Sequence, residues 1–390
     1  MDKLMVTINA GSSTLRFALY QVQAGRQLVR ELHGRFGRLA TGRAVEVRVE
    51  GADSVTPLVL AGRRGHAEAM AALCAWLPAA AQGRILLGAA HRVVHGGPDH
   101  AGPERVTPGL LAGLDELAPL APLHQPNDLA AIRALHAALP DCPQVACFDT
   151  AFHRSLPPRA RRFPLPEQAL PPGSERFGFH GLSYQHVAGE MARLAPDARR
   201  VVALHLGNGS SLCAMHDGTS IDTTMGLTPL DGVPMGTRSG AVDPGLLLML
   251  LEQGWDAHRL RDLLYRESGL LGLSGISSDM RALIASTDPR AAAAVEHYAW
   301  RCAQGLAAMA VSLGGLDAVV FTGGIGEHAA PVRELIIGHC AWLGIRLDPA
   351  ANAAGATRIT TADSGIGGFI VPADEERVLA EQALGLLPGP

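Results

Sequence analysis

Two stretches of the chain share one pattern of apolar and small polar positions. Leu4-Met-Val-Thr-Ile-Asn-Ala-Gly-Ser-Ser13 is an apolar run ending in a Gly/Ser turn, and Val202-Ala-Leu-His-Leu-Gly-Asn-Gly-Ser-Ser211 repeats it in the second half. Each predicts a buried strand that delivers small residues and backbone N–H groups to a tight turn. Turns of this kind approach phosphate oxygens closely because glycine adds no Cβ. The repetition predicts two halves of one architecture built to hold a phosphate chain.

The remaining periodicity fills in an alternating α/β chain. In the first half, strands are predicted at 4–9, Leu15–Gln21, Arg84–Val94 and Gln144–Phe148, and helices at Ala67–Leu77, Leu110–Leu117 and Asn127–Leu139. The breakers from Leu156 to Gly173 mark a crossing between domains, with the boundary near residue 150. Beyond it the pattern predicts strands at 200–206, Leu212–Met215, Ala318–Phe321 and Gly368–Val371, and helices at 245–265, 288–314 and Glu375–Leu386. Thr322-Gly-Gly-Ile-Gly326 reads as a turn. The expected division is a domain of residues 1–150, with the C-terminal helix 375–390 packing back on it, and a nucleotide-binding domain of residues 151–374.

Composition narrows the chemistry. A chain of 390 residues with 47% apolar and 18% charged positions has enough material for two ordinary cores. Its net charge of -4 supplies no basic field for nucleic acid or an anionic membrane surface. The longest apolar run, near Gly245–Leu251, is far below membrane-spanning length. The N-terminal run is too short for a signal peptide. Lys3 is the only lysine, which excludes a Walker-type phosphate loop and leaves phosphate charge to arginine, backbone amides and metal. Six scattered cysteines without a C-x-x-C pair read as buried free thiols in a reducing cytoplasm.

Seven segments then carry a family resemblance. Asn9-Ala-Gly-Ser-Ser13, His91-Arg-Val-Val-His-Gly-Gly97, Phe148-Asp-Thr-Ala-Phe-His153, Phe177-Gly-Phe-His-Gly181, His205-Leu-Gly-Asn-Gly209, Met235-Gly-Thr-Arg-Ser-Gly240 and Thr322-Gly-Gly-Ile-Gly-Glu327 resemble, in this order, the acetate kinase family. The resemblance implies a duplicated actin-like ATPase fold with ribonuclease H-like lobes around a nucleotide cleft. It also implies phosphorylation of acetate or propionate by ATP with Mg2+, and a homodimer.

Each candidate residue also has a reading of its own. Making an acyl phosphate brings an anion against a polyanion, so positioning and charge neutralisation dominate. Arg92, at a strand end beside His-Gly-Gly, and Arg238, in a Gly-rich turn, offer planar forks for carboxylate and phosphate; both could instead serve internal salt bridges. The resemblance gives them carboxylate binding and transition-state stabilisation. Asp149 stands at the carboxyl end of an apolar strand, where polar groups line crevices, or it caps the Thr150 turn. A carboxylate substrate is already ionised at neutral pH, so positioning is expected of Asp149 rather than base catalysis. His180 and His124 are either hydrogen-bonded core residues or donors to the transferred phosphoryl, and the resemblance gives that role to His180.

By resemblance Asn9 and Glu375 are the metal-associated positions, with Asp374 or Glu376 as alternatives to Glu375, which equally complements a helix N-terminus. For the nucleotide the candidates are His205, Leu206, Gly207, Asn208 and Gly209, then Asp279, Met280 and Arg281, and Gly324, Ile325, Gly326, Glu327 and His328. Arg16 stands where the family usually has lysine. The resemblance implies that Val94, Leu123, Phe179 and Pro229 form a small apolar pocket for the acyl chain, though all four could equally be core.

Several positions depart from the family pattern: Gln125 and Asp128 in His124-Gln-Pro-Asn-Asp128, Ala241 in place of an acidic residue, and His328 in place of asparagine. Loss of a carboxylate at Ala241 removes a possible partner for Arg238. A butyrate-type kinase of longer acids and a chaperone-like ATP switch are the competing functions.

Overall fold

The computed structural model describes residues 3–11, 14–37, 39, 46–51 and 65–387; Ser12 and Ser13 of the first Gly/Ser turn lie outside them. The chain divides into two compact units, residues 1–152 with 374–390 and residues 153–373.

The first unit is built on β1 (Lys3–Ala10), β2 (Leu15–Val22), β3 (Leu28–Gly37), β4 (Glu46–Glu50), β5 (Ile85–Val93), β6 (Glu104–Arg105) and β7 (Gln144–Phe148), in the order β4-β3-β2-β1-β5-β7-β6. The second is built on β8 (Arg200–Leu206), β9 (Ser210–His216), β10 (Thr219–Thr223), β11 (Ala318–Thr322) and β12 (Gly367–Ile370), in the order β10-β9-β8-β11-β12. The run β3-β2-β1-β5-β7 therefore matches the whole second sheet strand for strand. In each, the first three strands form an antiparallel meander. Two later strands then add parallel to the first.

That shared order follows from the residues. Strands β7 and β11 are buried at every position, as parallel strands covered on both faces must be. Their apolar runs leave no polar face to turn outward. The helix Pro289–Leu313 lays Tyr298, Cys302, Leu306 and Met309 against the second sheet's core. In the first unit the helix His66–Ala81 covers Val6, Ile8, Phe17 and Leu19.

Three sequence expectations need adjustment. The 245–265 pattern is broken into Pro244–Glu252 and Ala257–Asp262, followed by a wider turn over Leu263–Glu267. Gly254, with φ at 89°, takes the left-handed conformation that ends the first piece. Thr322-Gly-Gly-Ile-Gly326 is more than a turn: Gly323–His328 is a six-residue helix directly on the end of β11. Strands β3, β4 and β10 are additions to the expected set: β4 alternates as Glu46-Val-Arg-Val-Glu50 with Val47 and Val49 against the core, and β3 alternates over Leu32–Phe36, but both runs are short and lie toward a sheet edge.

The C-terminal helix Glu375–Leu386 returns to the first sheet. Leu379, Ala380 and Ala383 are buried there, and Arg105 caps the far end by donating to the Leu386 carbonyl at 2.6 and 3.0 Å. No described helix is long and apolar enough to cross a membrane. Because Leu379 is fully buried, Leu379→Ala is expected to cost about 2–5 kcal/mol. Urea denaturation monitored by circular dichroism measures it, and a cost below about 1 kcal/mol would show that this side chain does not hold the helix down.

Candidate active site

In the first unit, parallel pairing brings the carboxyl ends of β1, β5 and β7 level. Arg92 pairs with Cys147 and Val93 with Phe148, so Arg92, the last residue but one of β5, meets Asp149, the residue that follows β7. Arg92 donates from Nη2 and Nε to one oxygen of Asp149, at 2.6 and 3.0 Å, while its Nη1 lies 3.5 Å from the Asn9 Oδ1. Asn9 in turn donates to the Glu375 carboxylate at 2.7 Å. Four candidates thus form one buried chain of contacts. Burial by itself would lower the Arg92 pKa; Asp149, then Glu375 and Asp128, outweigh it and raise the value. The guanidinium is permanently charged.

The C-terminal helix distinguishes its three acidic residues. Asp374 caps the helix through Arg377 N and pairs with Arg30 at 3.1 Å. Glu376 is half-buried; desolvation of its carboxyl raises its pKa, and Arg16 partly offsets that. Only Glu375 reaches Asn9. Arg16 sits exposed on β2, directly across from Asn9 in the strand register.

Beneath Arg92, the helix Gln125–Ala138 holds the segment that follows β5. Gln125 accepts from His95 N at 3.1 Å and donates to His95 O at 3.0 Å. Asp128 accepts from Val94 N at 2.9 Å, and Thr150 Oγ1 accepts from Gly96 N at 3.0 Å. His124 and Val94 are buried beside this lattice, whereas Leu123 is half-buried. Burial pushes the Asp128 carboxyl well above the usual carboxylate range; Arg92 and the Val94 amide pull the other way without cancelling it. Asp128 and Thr150 had not been singled out for a role. The available signal was the three-residue spacing of Gln125 and Asp128, which puts both on one helix face.

The second unit gathers its candidates around the carboxyl end of β8. His180 and His205 stack with ring centroids 4.2 Å apart and planes 18° apart. Ser211 Oγ lies 2.8 Å from His180 Nδ1 and 2.6 Å from the Tyr184 hydroxyl, and Ser183 Oγ lies 2.9 Å from His205 Nδ1. His180 adopts φ 59°, ψ 25° at the start of the helix Gly181–Leu194, a left-handed conformation that a non-glycine residue holds only under outside constraint. His153, a core residue kept neutral by burial at a pKa of about 4, meets the Phe179 carbonyl at 3.0 Å on the preceding turn.

Gly209 is where the pieces converge. A Cβ there would lie 2.6 Å from Arg238 Nη2 and 3.3 Å from His180 Nε2, so the absence of a side chain admits both groups. Arg238 is buried and donates from Nη1 to the Pro229 carbonyl. Ala241 is exposed and spends its amide on Gly232 O. Gly236 donates to the Asn208 carbonyl at 3.1 Å and lies against the Ser278 carbonyl, which brings the 207–209 and 278–281 segments together.

Not every nucleotide candidate offers its side chain. Leu206 and Met280 are in the hydrophobic core, which leaves only their backbone for a ligand. Asp279 caps the helix Met280–Ile284 and pairs with the exposed Arg281. Gly324, Ile325 and Gly326 open the short helix after β11, with Glu327 accepting from Ala373 N at 3.0 Å and His328 exposed. Arg333, fully buried, ties that helix down by donating to the Gly326 and Glu327 carbonyls and to Asn352. Nothing in its amphipathic sequence context marked it.

The repeated sheet order, with charged residues at the strand ends, places the chain in the actin-like class of ATPase folds. A family model for the acetokinase family matches residues 4–381. The acetate kinase of Rhodopseudomonas palustris is 46% identical over the whole of both chains, and that of Nitrobacter hamburgensis is 43% identical over 99% of this chain and 96% of its own. Among solved structures, a propionate kinase from Francisella tularensis superposes with a TM-score of 0.86 at 32% identity, covering 97% of this chain and 98% of its own. The Porphyromonas gingivalis acetate kinase gives 0.82 at 31%, covering 98% and 99%. The chain belongs to the acetokinase family.

The Asp128 carboxyl yields a test with a definite sign. Above about pH 4 the unfolded chain has released this proton while the folded chain still holds it. Stability contributed at this site therefore falls as pH rises, until the folded-state group ionises. Asp128→Asn removes the titration, so its stability relative to wild type should improve between about pH 5 and about pH 8 in urea denaturation. A difference that stays flat with pH would contradict a raised Asp128 pKa.

Proposed function

We propose that this protein transfers the γ-phosphoryl group of ATP to a short-chain carboxylate, acetate or propionate, reversibly and directly in line. A carboxylate oxygen attacks the γ-phosphorus as the bond to the bridging oxygen breaks; ADP leaves with that electron pair, and no proton needs to move. The observation that carries the reading is the convergence of Arg238 and His180 on Gly209, which brings a guanidinium and an imidazole nitrogen beside a turn without side-chain bulk.

In this reading Arg92, oriented by Asp149, binds the acceptor carboxylate, and Arg238 and His180 stabilise charge on the transferred phosphoryl. The 205–209, 279–281 and 324–328 segments hold the nucleotide, with Arg16 as a further contact. Val94, Leu123, Phe179 and Pro229 bound the acyl chain, with His124 beside it. Asn9 and Glu375 offer one amide oxygen and one carboxylate, a hard-oxygen set that suits Mg2+ carrying waters and phosphate oxygens. Bound there, the ion would neutralise phosphate charge.

We further propose a cytoplasmic homodimer. The helix Pro244–Glu252 exposes Leu246, Leu248, Met249 and Leu251, an apolar face suited to a second copy. Free thiols at all six cysteines fit a reducing compartment.

Hydroxylamine trapping with Mg-ATP and acetate, propionate or butyrate in parallel tests the chemistry. Hydroxamate is expected from acetate or propionate; ATP hydrolysis without it from any acid would overturn the reading. Arg92→Ala and Arg238→Ala should each lower kcat by about 10²–10³, and near-normal turnover would remove that arginine from the mechanism. Light scattering should give twice the monomer mass, and the mass of one chain after Leu248→Glu with Met249→Glu. A monomeric wild type would exclude the dimer.

A further inference from the structure

Outside these clusters, the second unit carries an open groove of about 510 Å³ lined by Arg159, Arg162, Arg176 and Arg301, against only Asp222 and Asp231. The arginines differ in how far they are already committed. Arg301 donates to Gln304 at 3.0 Å, and Arg176 pairs with Asp231 at 3.0 Å. The side chains of Arg159 and Arg162 make no hydrogen bond or ion pair among the described residues. Asp222 is engaged by the Ser312 hydroxyl at 2.6 Å. The groove therefore has a surplus of guanidinium charge on separate elements, the short helix Pro158–Arg161 and the long helix Pro289–Leu313 among them.

We propose that this groove is a regulatory site for a small anion carrying two or more carboxylate or phosphate groups, and that its occupancy is felt at His180 and Arg238. Guanidinium forks recognise both kinds of anion bidentately, and arginines on several elements call for more than one anionic group. No aromatic residue lines the groove, so it offers no platform on which a nucleotide base would stack. Its volume suits a ligand of metabolite size.

The connection to the candidate active site runs through the Arg176–Asp231 pair. Arg176 also donates to the Thr223 and Thr224 carbonyls, both at 3.2 Å. The next two residues, Phe177 and Gly178, donate to Gly226 O at 3.0 and 3.3 Å, and the chain then reaches His180. Asp231 follows Pro229, whose carbonyl holds Arg238. One ion pair thus joins the segment that positions His180 to the loop that positions Arg238. An anion that draws Arg176 away from Asp231 loosens that joint. The effect on turnover rests on the kinase reading above; the binding itself does not.

Titration calorimetry on the nucleotide-free full chain, with citrate and with inorganic pyrophosphate, tests the site. At least one of them should bind to wild type, about tenfold more weakly or worse to Arg159→Gln with Arg162→Gln, and unchanged to Arg238→Gln. Citrate alone binding would indicate a polycarboxylate ligand, pyrophosphate alone a polyphosphate. Arg301→Gln, which should also weaken binding, serves if the double variant does not fold. The bound anion should change the KM for the acid several-fold in wild type and not in the double variant. Binding lost in Arg238→Gln but kept in the double variant would place the anion at Gly209 and overturn the proposal, as would no binding of either anion at millimolar concentration. Binding at the groove without a change in kinetics would overturn the coupling. Failure of the kinase reading would appear separately, as wild-type protein that makes no acyl phosphate without added anion.

Discussion

Burying a guanidinium at the end of a strand is costly unless the charge is matched and its hydrogen bonds are made, and the first unit is organised around meeting that demand at Arg92. Asp149 supplies the charge, but only because β5 and β7 are parallel and in a register that ends them together. Asn9 approaches because β1 flanks β5 in the same direction. Glu375 completes the chain of contacts only if the last helix comes back across the sheet, which requires the two ends of the chain to belong to one unit. The topology thus satisfies an electrostatic condition that no single element could meet.

The second unit uses the same sheet order for different chemistry. At the end of β8 the chain places a Gly-Asn-Gly turn where β1 carries Asn9-Ala-Gly, and the charged group arrives from a separate loop. Arg238 donates to the Pro229 carbonyl, and Arg92 donates to the Asp149 carboxylate. Stacked His180 and His205, each hydrogen-bonded to a serine, fix the facing wall of the turn.

Those parts of the fold dictated by local pattern were legible in the sequence. Runs buried on both faces, such as Gln144–Phe148 and Ala318–Thr322, read as strands because they are bounded by breakers and are too short for a helix. The repeated hairpin announced the duplication, and Arg92, Asp149 and Arg238 stood out because they terminate strands or occupy Gly-rich turns. Edge strand β10 and partly exposed β3 did not stand out, since β10 is short and polar and the alternation of β3 is confined to Leu32–Phe36. Nor did the supporting residues. Ser211, Tyr184, Asp128 and Arg333 are ordinary residues for the elements they occupy, and their roles arise from partners far away in the sequence, as when Arg333 reaches Asn352. The choice of Glu375 over Asp374 and Glu376 likewise depends on the rotation of a helix against a distant sheet.

Asp128 shows how such a supporting residue sets the electrostatics of the reaction proposed here. Arg92 contributes one positive charge, and Asp149 and Glu375 act on it with the opposite sign. A third ionised carboxylate under Val94 would oppose the acceptor further. Enclosing Asp128 away from water keeps its carboxyl uncharged well above the usual range, against the pull of Arg92 and of the Val94 amide, whose hydrogen bond it accepts as an amide side chain would. The site thereby gains the shape of an asparagine without its chemistry. Its tolerance for an anionic substrate depends on packing, since water admitted beneath the strand end would ionise Asp128 and add the very charge that the fold holds back.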